Sequence, residues 1–235
     1  CRSRRVLVDS QATRADLMQI VHTPPTKIDV VYPGIDPDLQ PVTDPTLIAE
    51  TSRRYGITPP YLLYIGTIQP RKNLVRLVKA FSAAEVDQQL VLAGKMGWLS
   101  RPTREAINDL PLNVQKRIIL PGFVPDADKA ALLSGATALL FPSLHEGFGF
   151  PLLEAQVCAT AVLTATTSSL PEVAGSGALL VDPLDTGAIA DGIRRLTTDD
   201  DLRRQLIAAG RHNVKRFTWE TAASQTLTAL LAAAQ

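Results

Sequence analysis

The chain has 235 residues, of which 46% are apolar, 20% charged and 5% aromatic. That length suits one large domain or two small ones of about 100–200 residues, and it holds enough core to need no disulfide or metal staple. With 24 Lys and Arg against 23 Asp and Glu, the net charge is +1. This balance excludes a disordered chain and a global field that would draw nucleic acid or an anionic membrane, leaving only a local basic site open. Two cysteines, Cys1 and Cys158, are too few for a disulfide framework or a zinc site, so a reducing, cytoplasmic compartment is the expectation. The longest apolar stretch, over 227–234, is far shorter than the roughly 18 residues of a spanning helix. The first residue is Cys1, and a strand-like run follows almost at once, which reads as a piece of a longer protein.

In chain order, a strand over 5–9 leads to a helix over 10–21 with Ser10 as N-cap. A short strand over 28–32 and a proline-rich passage over 33–45 follow. Six strands are then predicted, over 61–66, 89–93, 117–120, 136–141, 161–164 and 178–181. Helices are predicted between or after them, over 73–83, 101–110, 126–134, 148–158 and 186–196. Repeated strand–helix units of this length require crossover connections, hence a doubly wound, parallel, six-stranded α/β sheet of Rossmann-like type. We divide the chain into a flanking part over 1–59, the sheet domain over 60–198 and terminal helices over 199–235. Those last helices are expected over 200–209 and 218–234, with Thr218 able to cap the second.

Ligands of such sheets sit at the carboxyl ends of the strands, near the point where strand order reverses. After the first of the six strands the chain reads G-T-I-Q-P-R-K-N, residues 66–73. Gly66 permits a tight turn, and Arg71 and Lys72 project from the start of the next helix. That end already carries about half a positive charge, so two cations there conflict with it unless an anion binds. Arg offers a two-pronged fork for phosphate oxygens, Lys a compact point charge; the alternative is a solvated surface pair. After the fourth strand comes P-S-L-H-E-G-F-G-F-P-L-L-E, residues 142–154. There Gly147 and Gly149 leave backbone N–H groups free at a second helix start, and Pro151 fits its first turn. The segment lacks the third glycine of a dinucleotide fingerprint.

The two carboxylates of this segment, Glu146 and Glu154, would be separated by about 12 Å along a helix, beyond the roughly 5–9.5 Å of a hydrolase pair. Separate partners are the simpler expectation, with Glu146 at the reacting end of a ligand. Glu154 alone reads as a surface carboxylate. His145 either touches substrate or, the favoured reading, faces solvent. Two D-x-D strings invite a Mg²⁺ site, but Asp36 is read as part of a linker turn and Asp126 as a helix N-cap.

The run E-G-F-G-x-P-x-L-E-A over 146–155, with G-T-x-x-P-R-K-N over 66–73, resembles the nucleotide-binding half of a GT-B glycosyltransferase. The group is the large retaining family four, also called group 1. Further matches, in order, are VYPGID at 31–36, LAGK at 92–95, GFV at 122–124, LPEVAG at 170–175 and VDPLD at 181–185. The resemblance covers nearly the whole chain.

It implies that Arg71 and Lys72 hold the donor diphosphate and that Glu146 contacts the donor sugar near the reaction centre. Gly66 and Thr67 would line the donor. The backbone of Gly147, Phe148 and Gly149 would bind sugar hydroxyls and phosphate, Glu154 the ribose, and the backbone near Val124 the base. It implies sugar transfer with retention, without cofactor or catalytic metal, from a GDP- or UDP-linked sugar (mannose favoured) to a glycan or lipid acceptor, in polysaccharide biosynthesis. It implies as a partner the N-terminal domain of the same protein, absent here, through which the chain would reach the inner face of a membrane. Without that domain the chain would be inactive, and Trp219 and the last helix would carry an apolar patch. A non-catalytic binding module of the same fold is the alternative, and an epimerase or phosphorylase would need groups not found here. Two departures stand out: Ala159 replaces a usual glycine and Ala161 a usual proline, with a small effect expected on the turn.

Overall fold

A computed structural model of the chain describes residues 3–234, so Cys1 lies outside the described residues. Strand β1 (Val6–Val8), helix α1 (Gln11–Gln19) and strand β2 (Ile28–Val30) come first. The two strands pair with each other in parallel and form a sheet of their own. Ser10 caps α1 as expected, accepting from the Thr13 N–H at 3.0 Å. Helix α2 (Pro45–Arg54) was not expected. Its start signal is present, with Asp44 accepting from the Thr46 N–H and Pro45 in the first turn. Its apolar period is absent, because the residues it buries are Thr51 and Ser52.

The six expected strands all form. They are β3 (Tyr61–Ile65), β4 (Gln89–Ala93), β5 (Ile118–Gly122), β6 (Ala138–Phe141), β7 (Ala161–Ala165) and β8 (Leu179–Val181), joined in one all-parallel sheet of order β5-β4-β3-β6-β7-β8. The helices between them are α3 (Leu74–Ala84), α4 (Arg101–Asn108), α5 (Leu112–Gln115), α6 (Asp126–Gly135), α7 (Phe150–Val157) and α8 (Leu170–Ala174). After the sheet come α9 (Thr186–Thr198), α10 (Asp200–Asn213) and α11 (Trp219–Ala234). The one-turn helices α5 and α8 are too short to show a period. Strand order reverses between β3 and β6, which brings the loops over 66–73 and 142–149 to one crevice.

The central strands read YLLYI and ALLF because both faces are covered. Helices α3, α4 and α9 pack along one layer, and α2, α6 and α7 along the other. Helix α11 lies beside the flanking part of the chain: Arg4 donates to the Ala233 carbonyl at 2.8 Å, and a β-carbon added at Gly34 would meet the Trp219 nitrogen at 2.4 Å. Its remaining apolar side chains, Trp219, Leu227, Leu230 and Leu231, stay exposed as the sequence led us to expect. Thr218 accepts from the Thr221 N–H at 3.2 Å and so caps it. No helix among the described residues is long and apolar enough to cross a membrane.

The expectation for Asp126 needs correction. Pro125 occupies the N-cap of α6, and Asp126 stands inside the first turn, where its carboxylate meets Lys129 at 2.9 Å. At the other end of the domain, Ala159 ends α7 at φ 58°, in the left-handed region. The Thr160 N–H reaches the Ala155 carbonyl at 2.9 Å and the Ala159 N–H that of Gln156 at 3.3 Å, the paired bonds of a Schellman turn. The turn keeps its shape without glycine, at a steric cost from the alanine Cβ. Ala159→Gly should therefore stabilise the protein by about 1 kcal/mol, raising Tm by about 2–4 °C in thermal unfolding.

Candidate functional site

Loop 66–73 leaves β3 at Gly66, whose φ of 147° suits glycine. The same is true of Gly94 beside it, where a β-carbon would lie 1.9 Å from the Gly66 carbonyl oxygen. Pro70, Arg71 and Lys72 then form a single 3-10 turn. Asn73, at φ 62°, separates that turn from α3, which begins only at Leu74. Arg71 and Lys72 thus precede the helix instead of opening it. The buried Asn73 amide donates to the carbonyls of Pro142 at 3.0 Å and Pro183 at 2.6 Å. It ties the ends of β6 and β8 to this turn.

The anion that resolves the conflict between these cations is supplied by the chain itself. Glu146 Oε1 lies 2.5 Å from Lys72 Nζ, and its other oxygen pairs with Arg71. The Glu146 side chain is 7% exposed and that of Lys72 9%, whereas Arg71 keeps 44% of its surface in solvent. Burial pulls the Lys72 amine below its ordinary pKa, against the opposing pull of Glu146. The floor under the cluster is aromatic. Lys72 Nζ stands 4.6 Å from the Phe141 ring centre, and Phe141 stacks on Tyr64 at 5.9 Å. Tyr64 itself donates to the Thr67 carbonyl, and burial raises its phenol strongly.

The backbone of the Glu146 loop is held from two sides. The Leu144 N–H donates to the Arg71 carbonyl at 2.8 Å, and Arg71 also donates to the His145 carbonyl. From the β7–α8 connection, Ser168 accepts from the Glu146 N–H at 3.0 Å. Its neighbour Ser169 donates to the carbonyls of Glu146 and Phe148 at 2.9 and 2.8 Å. The N–H groups of Gly147, Phe148 and Gly149 donate to no acceptor within the described residues, and they open onto the start of α7. The Phe148 side chain turns away into a cluster with Tyr32, Phe150 and Phe217.

Glu154 has a different partner, Lys129 on α6, at 2.8 Å. Burial lowers the Lys129 amine, but its bonds to Glu154 and Asp126 outweigh that and hold it above its ordinary pKa. A cavity of about 350 Å³ runs between Gly66, Thr67, Gly94, Lys95, Val124 and Lys129. Lys95 Nζ covers the exposed Phe123 ring at 4.7 Å from its centre. On its lining, Gly66 adjoins the Lys72 side chain and Lys129 pairs with Glu154. The structure thus brings Arg71, Lys72 and Glu146 into one cluster and puts Gly66, Thr67 and Val124 on the lining of the adjoining cavity, while Glu154 touches that cavity only through Lys129 and lines a separate pocket with Asp36, Phe150 and Trp219.

Sequence reasoning missed Ser168, Ser169 and Lys129. The run T-T-S-S over 166–169 was the available signal for the first two. His145 faces solvent as expected, with 58% of its side chain exposed, and its ring also meets Asp16 of α1 at 3.0 Å. Asp36 fits its linker-turn reading, accepting from the Asp38 N–H at 2.9 Å.

The doubly wound, all-parallel sheet with a charged cluster at its reversal point defines a Rossmann-like class of α/β domain. The pattern of the glycosyl transferases group 1 family matches residues 49–213, and the chain belongs to that family. It is 31% identical over 240 residues to the O-antigen chain mannosyltransferase B of Escherichia coli, covering 97% of this chain and 60% of that protein. It is 35% identical over 176 residues to the serotype-specific mannosyltransferase WbdA of E. coli, covering 72% and 21%. Among solved structures, Anabaena HepE in complex with UDP and glucose superposes with a TM-score of 0.87 at 20% identity, over 97% of this chain and 63% of that one. Sucrose-phosphate synthase from Thermosynechococcus elongatus does so at 0.81 and 28%, over 98% and 59%. These neighbours establish the GT-B type of fold. The chain spans 60% of the length of the first of these mannosyltransferases.

Removing one member of a buried charge cluster leaves the others unpaired. Glu146→Ala should destabilise the ligand-free protein by about 3 kcal/mol, and the double variant with Lys72→Met by less than Glu146→Ala alone, in urea unfolding.

Proposed function

We propose that the chain is the donor-binding part of a retaining glycosyltransferase. In this reading it moves a hexose, with mannose favoured, from a nucleoside-diphosphate sugar to a glycan or lipid-linked acceptor. The observation that carries the reading is the pairing of Glu146 with Arg71 and Lys72 at the reversal point, beside an open cavity. A nucleoside diphosphate laid along that crevice brings two negative phosphates to the two cations. Its base would enter the cavity near Val124 and Phe123, and its ribose would reach the Lys129–Glu154 pair. The mannosyltransferase names of the E. coli relatives support mannose, and the UDP and glucose of the HepE complex support the donor class.

The chemistry follows from charge. As the glycosidic bond breaks, negative charge builds on the departing diphosphate, and fixed cations and N–H dipoles aimed there lower the barrier. In this reading Arg71, Lys72 and the N–H groups of Gly147, Phe148 and Gly149 would do this, with no metal required by the scheme. Once its cations engage the phosphates, Glu146 is free to accept from a sugar hydroxyl beside the reacting carbon. The acceptor hydroxyl must be held against that carbon. In our reading that is work for the N-terminal domain of a full-length enzyme, the expected partner.

Thermal unfolding with GDP, UDP and their sugars tests this. The preferred nucleotide, at about a hundred times its Kd, should add about 2.7 kcal/mol and raise Tm. Arg71→Ala should remove most of that rise. A protein whose Tm no nucleotide moves would refute the donor role.

A further inference from the structure

Helix α1 packs beside β1 and β2 and meets the donor loop and α8 through polar contacts. None of its nine residues is buried, and a helix of that length is marginal by itself. Toward the donor loop the polar contacts are the Asp16–His145 contact at 3.0 Å and the Thr13 hydroxyl donating to the Gly147 carbonyl at 3.4 Å; toward α8 they are its N-terminal N–H groups. The Thr13 N–H is capped by Ser10 within the helix start. The first two N–H groups, of Gln11 and Ala12, donate to the two oxygens of Glu172 on α8, at 3.1 and 3.0 Å. The Tyr32 hydroxyl, from the segment after β2, also donates to Glu172, at 2.9 Å. One carboxylate thus receives three donors from the flanking part of the chain, in the position the helix dipole favours. Burial and this contact together push the Tyr32 phenol up to about 12.

Glu172 is itself firmly based, since Leu170, Val173 and Ala174 around it are fully buried. The residues just before it, Ser168 and Ser169, are those that grip the Glu146 loop. One short segment therefore sets both the donor loop and α1 in a common frame. The consequence is visible at Asp9, immediately before α1. Its Oδ1 accepts from the Thr13 hydroxyl at 2.9 Å, and its Oδ2 stands 3.3 Å from where a β-carbon on Gly147 would lie. The seat brings a further carboxylate to the reacting rim beside Glu146.

We propose that Glu172 is a positioning residue, which seats α1 and with it Asp9 against the loop 146–149 in the geometry that sugar transfer requires. The inference rests on the donor reading above, but its first test does not. In the intact protein, Glu172→Gln keeps the shape and loses an acceptor. It should speed hydrogen exchange of the amides over 11–19 and leave those over 150–157 unchanged. Sugar transfer should fall about tenfold or more in kcat, while the Kd for GDP or UDP stays within about twofold, the value expected when no phosphate contact is touched. Tyr32→Phe, which removes one donor of three, should give a smaller loss in kcat. Unchanged exchange in α1, unchanged kcat, or a parallel loss of nucleotide binding would each overturn the proposal. A wild-type protein that binds no nucleotide would instead overturn the donor reading, while the exchange result still decides whether Glu172 holds α1.

Discussion

The site depends on one buried ionic arrangement, a single carboxylate shared by two adjacent cations. Arg71 and Lys72 lie in one turn, and with no counter-charge they would repel each other over an aromatic floor. Glu146 reaches them from the far side of the crevice and neutralises them. A buried ion pair is weak evidence for stability, because desolvation offsets much of the attraction. In the proposed reading its cost is explained by what the cations would do once a ligand with its own negative charge takes over.

The scaffold is organised to hold that arrangement without closing it. Asn73 fixes the cationic turn to the ends of β6 and β8, and the Leu144 N–H binds the two loops to each other. Ser168 and Ser169 hold the Glu146 backbone, so its carboxylate is placed by rigid neighbours and not by its own torsions alone. Arg71 retains access to solvent, and the cavity toward Val124 stays open. In the proposed reading, a site that exchanges an internal anion for an external one needs this combination of a stiff backbone and one accessible cation. The segment 168–172 extends the same frame to α1, so the two sides of the crevice share a reference.

Much of the fold was legible because parallel strands covered on both faces write themselves as continuous apolar runs. YLLYI, QLVLA and ALLF were read correctly for that reason. Helix α3 was legible from the helical spacing of Leu74, Val75, Leu77, Val78 and Phe81, of which all but the half-buried Val75 are buried. Helix α2 was not, because it packs through Ser52, Thr51 and a contact of Ile48 with Gly135 that carries no period. Asp126 was misplaced by one residue, since Pro125 and Asp126 are both acceptable at a helix start and only the backbone distinguishes them. Ala159 was flagged from sequence, and its left-handed φ gives the physical reason why glycine is usual there.

The linear chain by itself determined the alternation of strands and helices and marked the loops over 66–73 and 142–154, with the cations Arg71 and Lys72 and the carboxylate Glu146, as candidates for chemistry. These follow from local periodicity and from residue types at short spacing. Tertiary structure alone decided that β3 and β6 are neighbours, that Glu146 is the counter-ion of a turn 74 and 75 residues away, and that Glu172 caps a helix 160 residues earlier. Charge pairing acts through space over a few ångströms, and only the order of strands in the sheet brings such distant residues within that range.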